Sequence, residues 1–194
     1  MEIRELSKDE YEAGLALAWS VFQVYEAPDY SQEGTQSFYT AIRDPAYIEQ
    51  LRMYGAFARE RLVGVIATRG GGEHIALFFV DGAFHRQGVG KALFLRACAD
   101  NLSGKLTVNA SPYALEVYHH LGFEDTAPEQ LTDGIRFTPM ECRCANADCP
   151  CKRKHCSRHG RCAACREHHK TEKKNAVFCE RPQRRARRHT PKAQ

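Results

Sequence analysis

The pattern of apolar and polar positions predicts a short strand and then a helix at the start of the chain. Apolar residues recur at helical spacing from Tyr11 to Phe22, and residues 7–10 (SKDE) before them have the form of a capping box. A short strand is expected between Ile3 and Leu6. The chain therefore begins with a strand that leads into an amphipathic helix.

Three strand candidates lie in the middle of the chain. Residues 25–35 contain a proline and a glycine among polar residues, which predicts a loop, and short helical pieces follow up to about Met53. The strand candidates are 55–60, 62–68 and 74–81, with a tight turn after the first and three consecutive glycines after the second. This order predicts a meander of neighbouring strands.

The rest of this region alternates between helices and strands. The predicted elements are a helix from Val89, a strand at 105–109, a helix between Ser111 and Gly122, and two strands at 123–128 and 134–139. Together with the meander they predict a mixed α/β sheet flanked by helices.

Charge divides the chain into an acidic body and a basic tail. Residues 1–142 carry 12 Lys and Arg against 20 Asp and Glu, whereas residues 143–194 carry 16 against 4. Eight of the nine cysteines lie between Cys142 and Cys179. No apolar run approaches the roughly 18 residues of a membrane span, and the acidic N-terminal residues do not resemble a secretory or transit signal. We therefore expect a cytoplasmic protein whose body ends near residue 142.

The tail lacks the apolar residues that a hydrophobic core needs. Its only large apolar side chains are Val177 and Phe178, too few to offset a backbone entropy of roughly 1–2 kcal/mol per residue. Disulfides are disfavoured in a reducing compartment, which leaves metal or disorder. We expect metal to order residues 143–180 and expect 181–194 to be disordered. The RRARR run near the end is either solvated or an arm that contacts nucleic acid or the ribosome.

A glycine-rich turn joins a buried strand to a helix in the segment FFVDGAFHRQGVGKAL, residues 78–93. Glycines let main-chain N–H groups point outward, and a helix N-terminus adds partial positive charge, so the turn suits a pyrophosphate, with Lys91 adding charge. The alternative is a tight turn that binds nothing. The segment contains neither a P-loop sequence nor the G-x-G-x-x-G of dinucleotide-binding folds.

Two motifs give residues 1–142 a resemblance to the GNAT superfamily of N-acetyltransferases. The family carries Q/R-x-x-G-x-G/A between its fourth strand and third helix, which Gly88 and Gly90 match, although His85 stands at the first position. The second motif has the form N-x(n)-A-x-x-hydrophobic-Y-x-x-x-G-F and is matched by residues 109–123. The resemblance implies a mixed, mostly antiparallel central sheet flanked by helices.

The resemblance also implies acetyl-CoA as the cofactor. Its pyrophosphate would lie on the main-chain amides of residues 87–91, and its pantetheine arm would pair with residues 79–81 like an extra strand. The acceptor amine would attack the thioester directly, so no acyl-enzyme is needed and Cys98 is expected to be a core residue. The implied cofactor-binding residues are Phe79, Val80, Asp81, His85, Arg86, Gln87, Gly88, Val89, Gly90, Lys91, Asn109 and Tyr118.

Tyr118 occupies the position where the family often places a general acid. A phenol with a pKa of about 10 can protonate the departing thiolate, or the ring can simply pack against pantetheine. Asn109 is expected to bond either pantetheine or a main-chain group. Two glutamates are candidates for the general base: Glu26, in a loop near the substrate side in many relatives, and Glu73, before the fourth strand. Each is otherwise a solvated surface residue.

Cysteines and histidines in the tail occur at spacings typical of zinc ligands. Soft thiolates combined with imidazole favour zinc, and an iron–sulfur cluster or an unliganded tail are the alternatives. The segment from Cys156 to Cys165 also resembles short cysteine-rich bacterial proteins that carry C-x-R-H-G-x-C-x-x-C. Cys142 and Cys144 are spare ligands. The eight residues expected to close two structural sites are Cys149, Cys151, Cys156, His159, Cys162, Cys165, His169 and Cys179.

The leading hypothesis is therefore an acetyl-CoA-dependent N-acetyltransferase with a structural zinc-binding tail. The acidic body attracts cations, which fits a small-molecule or protein amine as acceptor. The tail would recruit a partner or cover the acceptor site. The alternative is a catalytically silent, CoA-sensing adaptor whose basic tail binds nucleic acid or the ribosome. A weaker third hypothesis is a redox or metal sensor.

Overall fold

The computed structural model describes residues 1–144, 149, 151–173, 176, 177 and 179. Its strands are β1 (Glu2–Glu5), β2 (Arg52–Ala58), β3 (Arg61–Arg69), β4 (His74–Val80), β5 (Lys105–Ala110), β6 (Glu124–Asp125), β7 (Gln130–Thr132) and β8 (Ile135–Arg143). Its helices are α1 (Tyr11–Tyr25), α2 (Gln32–Ala41), α3 (Pro45–Glu49), α4 (Val89–Asp100), α5 (Leu115–His120) and α6 (Cys162–His168). A π-helical turn, His169–Lys173, follows α6.

The strands form one mixed sheet in the order β1-β2-β3-β4-β5-β8-β6, and β7 pairs with β8. Every pairing is antiparallel except that of β4 with β5, which is parallel. The predicted meander is confirmed as β2, β3 and β4. Because a parallel pair requires a crossover, helix α4 lies between β4 and β5 in the chain and packs on β2 and β3.

Helix starts follow the capping signals in the sequence. The Glu10 carboxylate accepts the main-chain N–H of Ser7 at 2.9 Å, as the predicted capping box requires. The Ser31 hydroxyl caps α2 by accepting the N–H of Gly34 at 3.1 Å. The Asp44 carboxylate caps α3, where a proline stands at the first helical position.

Two apolar layers cover the two faces of the sheet. One layer packs α4 and α5 on the sheet and includes Val89, Leu93 and Tyr118. The other packs α1 and its neighbours on the opposite face and includes Phe22 and Leu77. Helices on both faces explain why the central strands β2 and β3 contain runs of buried residues rather than simple alternation.

The structure differs from the sequence-based expectations at several boundaries. The helical segment expected up to Met53 ends at Glu49, because β2 already begins at Arg52. The last predicted helix begins at Leu115 rather than at Pro112, which lies in a turn. A short additional strand, β7, pairs with β8. Within the described residues, no helix combines the length and apolar character needed to cross a bilayer.

Candidate functional site

The sheet opens between its two parallel strands. β4 and β5 pair at only two positions, His74 with Thr107 and Ile75 with Val108, after which the pairing stops. β4 continues to Val80 along β3, and β5 continues to Ala110 along β8. The carboxyl half of β4 therefore presents a main-chain edge that an extended ligand can pair with, as a peptide does when it adds a strand to a sheet.

The loop after β4 is held by its own side chains. The Asp81 carboxylate accepts the N–H of Ala83 at 2.9 Å and forms an ion pair with Arg61. His85 turns back toward the strand, with its Nε2 2.8 Å from the carbonyl oxygen of Val80. These contacts fix the direction in which the chain leaves β4. His85, the position that departs from the family motif, contacts the strand end in this structure.

Helix α4 begins at the opening. Its N-cap, Gly88, has φ of 80°, a left-handed conformation that favours glycine, and its Cβ position is open. The first four N–H groups of a helix have no intrahelical partner and carry partial positive charge. Arg86 and Lys91 flank this end and are exposed. The end of α4 thus has the chemistry of an anion site.

Gly90 keeps the first turn of α4 close to the strand. A Cβ built at Gly90 would lie 3.4 Å from the ring of Phe78, an ordinary van der Waals distance. A methyl group fits at this position. A longer side chain would project outward from the N-terminal end of the helix. This difference makes Gly90 a useful position for testing what lies there.

Four polar side chains from different segments meet beside the opening. Glu26 ends α1, Tyr30 follows in the next turn, Ser111 follows β5, and Tyr118 lies on α5. Ser111 lies near enough to Glu26 and Tyr30 to lower the pKa of each through its hydroxyl group. Burial raises the pKa of Glu26 to about 7, with a contribution from Asp29, and the Ser111 hydrogen bond opposes this rise. Glu26 can therefore accept a proton near neutral pH.

Tyr118 is buried, with 5% of its surface exposed. Its ring lies 6.0 Å from that of Phe78 and 5.1 Å, edge-on, from that of Phe123. Burial, followed by the negative charge of Glu26, raises the pKa of Tyr118. The phenol is consequently held in its neutral form.

Aromatic side chains border the same site. The ring of Tyr25 lies 5.1 Å from His85 and 5.2 Å from Tyr113. The Tyr25 hydroxyl fills the space above Gly82, where a Cβ would come within 2.1 Å of it. This wall places a flat, partly exposed aromatic surface next to the carboxylate of Glu26.

The two candidate bases lie far apart. Glu73 is exposed and immediately precedes β4, and its carbonyl accepts the N–H of Thr107 in the paired part of the strands. The loop after Val80 is at the other end of β4, about 20 Å away for a strand of this length. The structure places Glu26 near Tyr118, whereas Glu73 lies at the other end of β4. Asn109 is exposed on β5.

Ser111 and Tyr30 were not among the candidates from the sequence. Ser111 was expected only as a helix cap, and its hydroxyl does accept the N–H of Ala114 at 3.3 Å. Tyr30 lay in a predicted loop. No local pattern marks either residue, because their shared contact with Glu26 joins segments that are distant in the sequence.

The predicted metal ligands fall into two groups. Cys142 is in β8, Cys144 follows that strand, and both are buried in the layer that contains α4, with Cys98 packed against it. Cys98 is partly buried and packs against the core, on the apolar side of α4 as expected. Seven of the other predicted ligands line one cavity in the tail, and six of them are Cys149, Cys151, Cys156, His159, Cys165 and Cys179. His169 lines the same cavity, whereas the side chain of Cys162 and residues 181–194 lie outside the described parts of the chain.

Comparison with known proteins assigns the body to a described family. Residues 26–144, more than half of the chain, match the family described as acetyltransferase (GNAT) domain. Comparison with curated proteins gives no match.

Solved structures give the same fold. The chain is similar to the GCN5-related N-acetyltransferase from Rhodopseudomonas palustris, with 21% identity, a TM-score of 0.60, and coverage of 73% of this chain and 94% of that one. It is also similar to the PaiA N-acetyltransferase from Thermoplasma acidophilum in complex with coenzyme A, at 21% identity, TM-score 0.57, and 73% and 98% coverage. Apo-form YjaB from Escherichia coli follows at 20% identity, TM-score 0.58, and 72% and 95% coverage. At these identities the likeness establishes the fold alone.

Proposed function

The chain belongs to the family of GNAT acetyltransferase domains, and on that basis we propose that it transfers an acetyl group from acetyl-CoA to an amine. The observation that carries this proposal is the meeting of Glu26 and Tyr118 beside the opening between β4 and β5, at the N-terminal end of α4. A carboxylate, a phenol, a free strand edge and a helix N-terminus lie near one another there, and they would serve as base, acid, pantetheine edge and anion site.

The residues around the opening fit the three parts of acetyl-CoA. Main-chain amides of residues 87–91 would bind the pyrophosphate, with Arg86 and Lys91 adding positive charge. The free edge of β4 near Phe79 and Val80 would bind the amides of the pantetheine arm. When bound, acetyl-CoA supplies an activated acetyl thioester.

Glu26 and Tyr118 divide the proton transfers of the reaction between them. Glu26, with a pKa of about 7, takes a proton from the acceptor ammonium, so that the neutral amine can attack the thioester carbonyl. A C–N bond forms and the C–S bond breaks. Tyr118 gives its phenolic proton to the sulfur that leaves. The attacking nitrogen would lose its second proton as the amide forms, and this proton would restore the Tyr118 phenol through solvent. Glu26 would release its own proton to solvent, so that the net products are the amide, the thiol and one proton.

The surroundings of Glu26 favour a cationic acceptor. The glutamate, the neighbouring Asp29 and the aromatic wall of Tyr25 and Tyr113 together suit a primary ammonium group, which aromatic faces and carboxylates both attract. Either a small-molecule amine or a protein amine satisfies this chemistry.

Substitution of Gly90 tests where the pyrophosphate binds. Gly90→Glu places a carboxylate where the phosphates would lie, so we expect calorimetry to show loss of acetyl-CoA binding. The negative charge itself favours the first turn of a helix, which separates lost binding from unfolding. Gly90→Ala is the matched control and should bind normally, because its methyl group fits beside Phe78. Equal affinity of the Glu variant and the wild type would refute the proposed site.

The alternative function makes a different prediction. A catalytically silent adaptor would bind acetyl-CoA, acetylate none of a panel of amines, and bind RNA or DNA through its basic tail with strong salt dependence. An acetylation screen analysed by mass spectrometry, combined with a nucleic-acid binding titration, distinguishes the two.

A zinc-binding tail and a cytoplasmic location are also parts of the proposal. The structure describes the side chains of five tail cysteines from Cys149 onward, and all five are free thiols that are available as ligands.

A further inference from the structure

The tail encloses a cavity where a domain of ordinary composition has a hydrophobic core. The cavity has a volume of about 350 Å³. Val177 lines it and is buried, and the sequence after residue 144 offers just one other large apolar residue. The cavity is lined instead by five cysteines and three histidines, which are Cys149, Cys151, Cys156, His159, Cys165, His168, His169 and Cys179.

These donors come from four separate segments. Irregular chain supplies Cys149, Cys151, Cys156 and His159, helix α6 supplies Cys165 and His168, the π-helical turn supplies His169, and Cys179 follows later. The Cys165 thiol lies within electrostatic reach of four other thiols from these segments, those of Cys149, Cys151, Cys156 and Cys179. The thiols thus line one cavity, although few apolar side chains are present to bring these segments together.

Two of the histidines are oriented as metal ligands commonly are. His168 lies on α6 with 16% of its side chain exposed, and its Nδ1 is 3.0 Å from a carboxylate oxygen of Glu172. His159 has its Nε2 3.2 Å from the carbonyl oxygen of Cys151. In His159 one ring nitrogen faces a protein oxygen and the other remains for a metal, the usual outer contact of a ligating histidine. His168 Nδ1 is buried and makes no hydrogen bond with the residues that the structure describes, and the nearby Glu172 carboxylate would become its outer contact when the metal binds.

Basic side chains also line the cavity and compensate for thiolate charge. A zinc ion with four thiolates carries a net charge of −2, which neighbouring cations stabilise. The basic residues that line the cavity are Lys152, Arg153, Arg158, Arg161, Arg166 and Lys173. Zinc is preferred over magnesium or calcium because the donors are sulfur and imidazole nitrogen rather than carboxylate oxygen.

We propose that this cavity is a closed, structural zinc site in which His168, held by Glu172, is a ligand. The eight lining donors are sufficient for two tetrahedral ions. Among the described residues, no three such side chains lie close enough together to hold an ion in the present conformation. Binding therefore draws the ligands inward, as in small domains whose folding is coupled to metal. This inference deepens the zinc part of the proposed function and does not rest on acetyl transfer.

The zinc site lies at the opposite end of β5 from the acetylation site. Arg161 donates hydrogen bonds to the carbonyl oxygens of Leu102 and Ser103, at 3.3 and 2.6 Å, just before β5 begins. Ser111, which contacts Glu26, follows the other end of that strand, about 20 Å away. The metal thus orders the tail and its contact with the body, and takes no part in the chemistry.

Elemental analysis of the full chain tests the site. Protein purified under reducing conditions and without chelator should contain one or two equivalents of zinc, and replacement by cobalt should give the visible bands of tetrahedral cobalt bound to thiolate. Folded protein without zinc, or with iron and sulfide in its place, would overturn the proposal. Phosphate binding to metal-free protein at this cavity would equally overturn it.

Matched variants locate the ligands. His168→Ala should lower zinc affinity or content, whereas His155→Ala, at an exposed histidine in the same tail that does not line the cavity, should not. Glu172→Gln keeps an exposed position polar and should weaken zinc binding by about 10- to 100-fold through the lost orientation of His168. Equal affinity in all three variants would contradict the assignment of His168. Calorimetry with acetyl-CoA on the same samples should give wild-type binding, so failure of the zinc site and failure of the proposed function remain separable.

Discussion

Replacement of Glu26 by glutamine is expected to make the enzyme slower and more stable at once. The fold raises the pKa of this carboxyl from 4.5 to about 7, chiefly by burial. Above pH 7 the folded protein must hold a buried charge that the unfolded chain exposes to water. A shift of this size corresponds to about 3 kcal/mol. The glutamine variant retains a partner for Ser111 and avoids this cost.

The pH dependence of stability gives the sign of the effect. A carboxyl group with a raised pKa in the fold binds protons more tightly when native, so it destabilises the protein progressively as the pH rises from about 4.5 to about 7. We expect the variant and the wild type to unfold at similar urea concentrations at pH 4.5. At pH 8 the variant should be more stable, by up to about 3 kcal/mol.

The catalytic activity of Glu26→Gln should fall even though its stability rises. A positioned general base typically contributes about 10²- to 10⁴-fold, so kcat/KM of Glu26→Gln should fall by at least about 100-fold. In a plot of kcat/KM against pH, the wild type should lose activity below pH 7 as Glu26 becomes protonated. This acidic limb of the pH profile should be absent in the variant. Asp29→Asn is the matched control: it removes a charge that raises the pKa of Glu26 and should move the limb to lower pH without abolishing activity. An unchanged limb and full activity in Glu26→Gln would refute the assignment of the base.

Three further substitutions test the remaining contacts. Tyr118→Phe should lower kcat by about 10²-fold or more while calorimetric affinity for CoA stays constant, and equal turnover would remove the general-acid role. Ser111→Ala removes a hydrogen bond that lowers the pKa of Glu26, so the acidic limb of the pH profile should move upward, and a downward move would contradict the contact. Arg161→Met removes two hydrogen bonds between tail and body, so limited proteolysis should release the tail faster at unchanged acetyl transfer, and equal cleavage rates would contradict this role.

The glycine-rich turn shows what local sequence can predict. Its position between a strand and a helix, and the left-handed φ at Gly88, depend on a few neighbouring residues and on the unique freedom of glycine. The capping box before α1 is predictable for the same reason, since all its bonds lie within four residues. Boundaries that depend on strand pairing, such as the start of β2 and the extra strand β7, were missed.

The cysteines of the tail show the opposite case. In the sequence, the cysteines follow one another at short intervals from Cys142 onward. In the structure, Cys142 and Cys144 lie on either side of an exposed residue at the end of β8, and both face the core of the body. Spacing alone grouped them with the tail cysteines as spare zinc ligands. Because successive side chains of a strand point to opposite faces, the register of β8 places both cysteines in the core of the body and not in the tail cavity.

Sequence by itself determined the family of the body, the glycine-rich turn between β4 and α4, and the shortage of apolar residues for a core in the tail, because each follows from short-range pattern or composition. Only the tertiary structure placed Glu26 rather than Glu73 near Tyr118 and drew attention to Ser111, Tyr30 and His168. The physical reason is that burial and electrostatic contact depend on distance in space. The pKa of Glu26 is set first by its burial and then by Ser111 and Asp29, and Ser111 follows a strand about 85 residues away along the chain.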